Sequence, residues 1–459
     1  MFYLIIASII CLISGHLFKL GCGTLSLYRP NMMTVIFYYY LILQCVIGAV
    51  LIANNWEKSN WELQVIVNPN VRIYGFWVIM YTMIAFPFGM LCANSLLRQK
   101  YIKSKFIHYC DNPIRLESIG NCKIIKYCLI VLSIISGISV LYVIRTIGEI
   151  GLLKVFNTES AAELAGFRIS SGREFAGNQF IRGFFALYLC PLMCYVAYGY
   201  KKIVNSIFNR CWFWSLFVGS VLILTSNLEK APLIVFLIGF VFFRIYTGKI
   251  LSKRLLLVLF IGACTLIALI YILVMKTGTE DLFTGILNRL TISSVGGLYL
   301  DLDIFPSRHN FLGFSSFSQE VNAFFCQPHN ERSARIAMMF AQPDLVASGE
   351  AGVINCLFTG EAWANWGWFG LIFSPIYVGF IIQLFYIVFI NLKKTPLFLG
   401  IMVKYSFTSV IVGGVNDYLY NTSVRWLIML CVVIVGVSQI YHSTHVKCRN
   451  SISGDSYTR

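Results

Sequence analysis

The side chains of this chain best suited to chemistry are basic, and most of them are arginines. Arg168, Arg173, Arg182, Arg289 and Arg425, together with Lys230, lie at or just beyond the ends of long apolar stretches. A guanidinium is a planar fork that meets two phosphate or carboxylate oxygens at once, which an ammonium does not. The pattern predicts an anion held where apolar segment gives way to loop. The competing account is that each arginine merely snorkels to lipid headgroups. Snorkelling gives no reason to prefer Arg over Lys, yet the loops and span ends on the face that bears these residues hold ten arginines and four lysines. Proton acceptors are available among them: Glu361, Asp417, His309 and Asp303, whose acidity nearby arginines would tune. A lone loop histidine such as His309 is equally an ordinary surface residue, and one Asp301-Leu-Asp303 pair is a weak metal signature.

The elements that must position these groups are apolar helices. Of 459 residues 58% are hydrophobic and only 12% charged, which overrides the two or three soluble domains that length alone suggests. Eleven stretches are long enough to cross a bilayer: 1–18, 32–53, 73–94, 124–144, 179–200, 211–226, 231–247, 255–275, 366–390, 397–415 and 425–441. The sixth and seventh are short and read as a tightly turned pair around Asn227–Lys230. The expected fold is therefore all-α: one integral membrane domain over 1–459 with two long external segments, 145–178 and 276–352.

Loop charge sets the expected orientation. Arg98, Lys100, Lys103, Lys105, Arg115, Lys123, Lys201–Lys202, Lys249, Lys253–Arg254 and Lys393–Lys394 fall on one side, with the tail bearing Lys447 and Arg449. That side is assigned to the cytoplasm, which puts the N-terminus and both long segments outside. The formal charge of +16 then reflects a collar facing anionic headgroups and implies no nucleic-acid partner. The first segment has no charged region before it and no small-residue cleavage site, so it reads as a retained span. The fifteen cysteines fall nearly all inside spans and suggest no disulfide framework. No internal repeat marks an inverted-repeat transporter.

Within the second segment, Leu282, Phe283, Ile286, Leu287 and Leu290 form an apolar stripe bordered by Arg289, and Ala334–Phe340 reads as another short helix. Gly296-Gly297, Phe305-Pro306 and Gln327-Pro328 read as turns. The segment reads as a folded lid. The strongest local signal is Gly360-Glu-Ala-Trp-Ala-Asn365-Trp-Gly-Trp-Phe-Gly370, which runs straight into a span. It places Glu361 and Asn365 one helical turn apart. Its glycines and tryptophans also suit a plain interfacial anchor.

A long external loop ending in this Gly-Glu-aromatic-x-Asn-x-Gly-x-x-Gly run resembles the Wzy-type oligosaccharide repeat-unit polymerases. Lys230 within Thr225-Ser-Asn-Leu-Glu-Lys-Ala-Pro232, the arginine-bearing loop before the fifth span, and Asn416-Asp417 ahead of Arg425 fit that pattern over roughly 145–430. The resemblance implies a GT-C-like membrane glycosyltransferase in the bacterial inner membrane with its site facing the periplasm. It implies undecaprenyl-diphosphate-linked glycans as donor and acceptor, with a chain-length regulator as protein partner. Arg168, Arg173, Arg182, Lys230, Arg289 and Arg425 would bind the diphosphate; Glu361, Asp417 and His309 would serve the acceptor hydroxyl. A lipid-diphosphate donor held by arginines needs neither metal nor cofactor. Two other readings stay open: a lipid-linked oligosaccharide flippase, against which the long external loop argues, and an O-antigen ligase, which shares the chemistry.

Overall fold

The computed structural model describes residues 1–57, 60–116, 122–151, 154, 160–172, 174–229, 231–258, 261–262, 265, 282–349, 351–408 and 411–454. Among them the chain is helical, with one isolated β-bridge, Leu357 to Val412. It is an all-α polytopic membrane protein. Eight of its helical segments are long and apolar enough to cross a bilayer. In chain order the first six helices are α1 (Phe2–Cys22), α2 (Met32–Ala53), α3 (Trp61–Gln64), α4 (Val71–Leu96), α5 (Ile102–Asp111) and α6 (Cys122–Ile147). Next come α7 (Ala161–Gly172), α8 (Ile181–Ile203), α9 (Ile207–Leu224) and α10 (Ala231–Tyr246). The second long segment supplies α11 (Leu282–Leu290), α12 (Ile292–Ile304), α13 (Gln319–Phe324), α14 (Ser333–Ala341) and α15 (Pro343–Ala347). The chain closes with α16 (Phe358–Asn391), α17 (Pro396–Thr408), α18 (Asn416–Leu419) and α19 (Thr422–Gly454).

Ten of the eleven expected spans thus correspond to helices, although α10 and α17 are shorter than the eight. The remaining one, 255–275, falls largely outside the described residues, so the count of eleven is not reproduced. The expected tight pairing of the sixth and seventh spans holds: α9 and α10 are joined by a turn opening at Thr225–Asn227.

Contacts between helix ends sort the loops onto two faces. On one face the Met1 amine lies 3.3 Å from Asn54 Oδ1, Arg72 pairs with Glu57, and Asp303 accepts from the backbone N–H of Val67 and Asn68. On the other, Arg29 pairs with Asp111 at 2.8 Å and Lys394 Nζ donates to the Cys110 carbonyl at 2.9 Å. The second long segment therefore shares a face with the 54–72 loop, and the turn at Lys394 lies with Arg29 and Asp111 on the other.

The helices are drawn together by close packing and a few buried polar bonds, because lipid offers apolar surfaces no reason to leave it. At the crossing of α1, α4 and α16, Gln383 donates to Asn94 Oδ1 at 2.7 Å, and both amides donate to the Gly21 carbonyl at 2.9 Å. The α4–α16 crossing is tighter still. A Cβ on Gly89 would stand 2.0 Å from the Ile376 carbonyl oxygen, and one on Gly379 would stand 2.1 Å from that of Phe86.

One sequence expectation is overturned here. Gly296-Gly297 is no turn but lies inside α12, whose residues are all buried except Leu302. The bare glycine face lets the Glu62 carboxylate and the Asn355 carbonyl press against the helix. The long second segment is consequently more than a lid, since α12 is inserted among α2, α4 and α16. Its amphipathic α11 and the short α14 form where the apolar stripes place them.

Candidate functional site

Three separate pieces of chain meet on one guanidinium. Arg332, at the entry to α14, donates from Nε to Glu361 Oε1 at 2.6 Å and from Nη2 to Glu361 Oε2 at 3.1 Å. Its Nη1 reaches Asp417 Oδ1 at 3.1 Å. Glu361 stands in the first turn of α16, where its charge complements the positive helix end. Its Oε2 also accepts from the Asn416 backbone N–H at 3.0 Å. Gly414 makes this possible, because a Cβ there would collide with Arg332 Nη2 and Glu361 Oε2. Burial works against the charge on Arg332. The hydrogen bond and charge of Glu361, joined by Asp417, outweigh that and raise its pKa above the ordinary arginine value.

The helical spacing of Glu361 and Asn365 carries the arrangement inward. Asn365 donates to Asn416 Oδ1 at 3.2 Å and accepts from Ser316 Oγ at 2.8 Å. After Asn365 the helix breaks at Gly367, whose φ of 57° only glycine adopts readily, so α16 is two helices meeting at a kink. The site is built on the first of them, ahead of the apolar run that follows.

Above this core opens a cleft of about 420 Å³, lined among others by Phe317, His329, Glu331, Arg332, Asp417 and Tyr420. Asp417 is the accessible carboxylate, with its side chain 50% exposed, whereas that of Glu361 is 3% exposed with both oxygens engaged. Chemically, Glu361 clamps the arginine, and Asp417 is free to accept a hydrogen bond or proton from a bound hydroxyl. The Phe317 and Tyr420 rings pack at 5.4 Å and give the cleft an aromatic wall.

The other residues singled out from sequence are distributed as follows. Arg168 on α7 and Arg182 on α8 both feel the charge of Glu229. Burial lowers the pKa of Arg168, and Glu229 opposes that shift. Arg182 Nη1 donates to the Gly172 carbonyl at 2.8 Å, and its guanidinium lies over the Phe175 ring. Arg173 and Lys230 lie outside the described residues. Arg425, in the first turn of α19, acts on Glu320. The neighbouring Trp426 ring packs 5.2 Å from Phe180, so the entries to α8 and α19 adjoin. Arg289 stands apart from these, beside Glu62. His309 is not in the cleft: its Nδ1 lies 2.8 Å from the Asn310 carbonyl. Asp303 is held by Arg308 and two backbone N–H groups, a loop-fastening role.

Arg332 was the residue that sequence reasoning did not single out. It sits 29 residues from Glu361, and no spacing rule links two loops across that gap. His329 likewise escaped notice, although it lines the cleft where His309 does not.

Two carboxyls that support this face are buried out of reach of solvent. Burial pushes Asp301 up to about 7, against hydrogen bonds from Cys356 and Ser333 that pull it down. Burial also pushes Glu62 to about 7, opposed by Arg289 and Ser293. Ser333 Oγ donates to Asp301 Oδ2 at 3.1 Å, which ties the start of α14, and so Arg332, to α12. Unfolded, both carboxyls would titrate near pH 4. A raised folded pKa means stability that is complete below about pH 4 and lost as pH climbs through about 7. The unfolding midpoint of the purified protein in detergent should therefore fall between about pH 4 and 7 and level off above that. Asp301→Asn should flatten that fall, and an unchanged slope would refute the assignment.

No family model, curated protein or solved structure matches the chain. Among the described residues no three His, Cys, Asp or Glu side chains gather as a metal-ligand set. What fold and site define together is an all-α polytopic membrane protein with a polar cleft at one face.

Proposed function

We propose that the chain joins polyprenyl-diphosphate-linked oligosaccharide repeat units into a surface polysaccharide, working at the outer face of the bacterial inner membrane. The observation that carries this reading is a pair of unlike environments at one end of the helical body. Arg168 and Arg182 both feel the charge of Glu229, two guanidiniums to that carboxylate, and offer positive charge to a diphosphate. In the cleft, Asp417 offers an exposed carboxylate to a sugar hydroxyl. The two are linked through the packing of Phe180 on Trp426, next to Arg425.

In the reaction the acceptor hydroxyl attacks the anomeric carbon of the donor glycan and gives its proton to Asp417. The bond from that carbon to the diphosphate oxygen breaks, and the polyprenyl diphosphate leaves with the electron pair. Most of the rate comes from holding the two glycans in register and from fixed positive charge at the leaving group.

Surface glycan from a strain lacking the chain tests this directly. A polymerase predicts single repeat units in place of a ladder, restored by the wild-type chain and not by Asp417→Asn at equal membrane level. Long unligated chains would indicate a ligase, and units retained on the cytoplasmic side a flippase; either would overturn the proposal. The gripping arginines are tested in the same assay: at Arg182 or Arg425, Lys keeps the charge but loses the fork. A wild-type ladder from both variants would return those arginines to the lipid interface.

A further inference from the structure

The cleft and the Arg168–Arg182 region differ in the sign of their surplus charge. Arg332 in the cleft is faced by Glu361 and Asp417, and Glu331 lines the same space. Three carboxylates against one guanidinium leave the cleft with surplus negative charge. The rest of the wall is aromatic and polar: the Phe317–Tyr420 ring pair, serine hydroxyls and the Asn421 amide. Rings pack against the C–H faces of sugars, and hydroxyl, amide and carboxylate groups exchange hydrogen bonds with sugar hydroxyls. A ligand carrying its own carboxylate or phosphate would instead meet like charge, because the positive charge of Arg332 is already shared between Glu361 and Asp417.

We infer that this cleft takes the acceptor end of the glycan as an uncharged or amino-bearing sugar and turns away sugars bearing carboxylate or phosphate. The inference rests on the reading of the chain as a polymerase and narrows the substrate of that same site. It also assigns Arg332 to holding the cleft rather than to the diphosphate. Asp417 receives the hydroxyl, Glu331 sets the charge at the rim, and the ring pair supports the sugar face.

The test uses the full-length protein in lipid nanodiscs with the lipid-linked repeat unit isolated from a strain lacking the chain. Half of the preparation has the primary alcohol of its terminal sugar oxidised to a carboxylate. As acceptor, the oxidised unit should show a KM raised about tenfold or more by like-charge repulsion, with kcat little changed. Glu331→Gln or added salt should shrink that difference. An equal KM for both units, or a terminal sugar that is acidic in the native unit, overturns the inference. If the native unit is not polymerised at all, the functional reading has failed instead. Saturation-transfer NMR with the two released oligosaccharides then still reports charge preference, and binding of the oxidised form as well as the native, or of neither, refutes it.

Discussion

On the proposed reading of the chain as a polymerase, Arg332→Ala is expected to abolish the polysaccharide ladder while leaving the protein in the membrane at reduced stability. Removing the guanidinium strands Glu361, whose side chain is 3% exposed, as a buried carboxylate facing Asp417 with nothing between them. Breaking a fully buried ion pair typically costs about 3–5 kcal/mol, and the cost here is smaller because the Arg332 side chain is 39% exposed. Loss of a preorganised charged group from a reacting site typically costs about a hundred- to a thousand-fold in rate. Arg332→Lys separates the two effects. It keeps a cation beside Glu361 but cannot span Glu361 Oε1, Glu361 Oε2 and Asp417 Oδ1 together. Stability should largely return while the ladder stays severely shortened. Thermal unfolding in detergent and gel analysis of the surface glycan are the two readouts. A wild-type ladder from the lysine variant would mean that the three-way clamp is dispensable.

The second large effect lies far from the cleft, where α4 crosses α16. Gly89→Val and Gly379→Val each place a branched side chain against a carbonyl of the facing helix, not against a side chain that can rotate away. The helices must then separate, and the buried bonds among Gln383, Asn94 and Gly21 part with them. Overpacking a well-filled interior costs about 1–3 kcal/mol, and a backbone collision belongs at or above the top of that range. Membrane yield and unfolding midpoint should drop for both variants. The double variant should cost less than the sum, because one separation relieves both clashes. Near-wild-type midpoints for the single variants would show that the crossing is looser than its geometry implies.

The helix that carries the clamp illustrates how far the sequence reached. Glu361 and Asn365 are four residues apart on an apolar helix, and that spacing alone puts them on one side. Both indeed point into one hydrogen-bonded network, Asn365 through Ser316 and Asn416, Glu361 through Arg332 and Asn416. What the spacing could not supply was the partner. Arg332, Asp417 and Ser316 come from other loops, and nothing local ties residue 332 to 361 or 417. The same limit explains His309 and His329: composition offers both, and only folding puts His329 at the cleft and leaves His309 against its own neighbouring carbonyl.

The sequence by itself determined the all-α membrane class and the presence of ten of its helices, with the ends of most of them. Those follow from how many consecutive residues are apolar and where charges interrupt them, properties that lipid enforces residue by residue. It also marked α11 and α14, because an amphipathic stripe is local. Tertiary structure alone decided that Gly296-Gly297 belongs to a buried helix, since a glycine pair permits either a turn or a close approach and only the facing Glu62 and Asn355 select between them. It alone set Arg289 against Glu62 and Arg168 and Arg182 about Glu229. Charges act on one another by distance in space, and distance in space between loops is not written in the order of the residues.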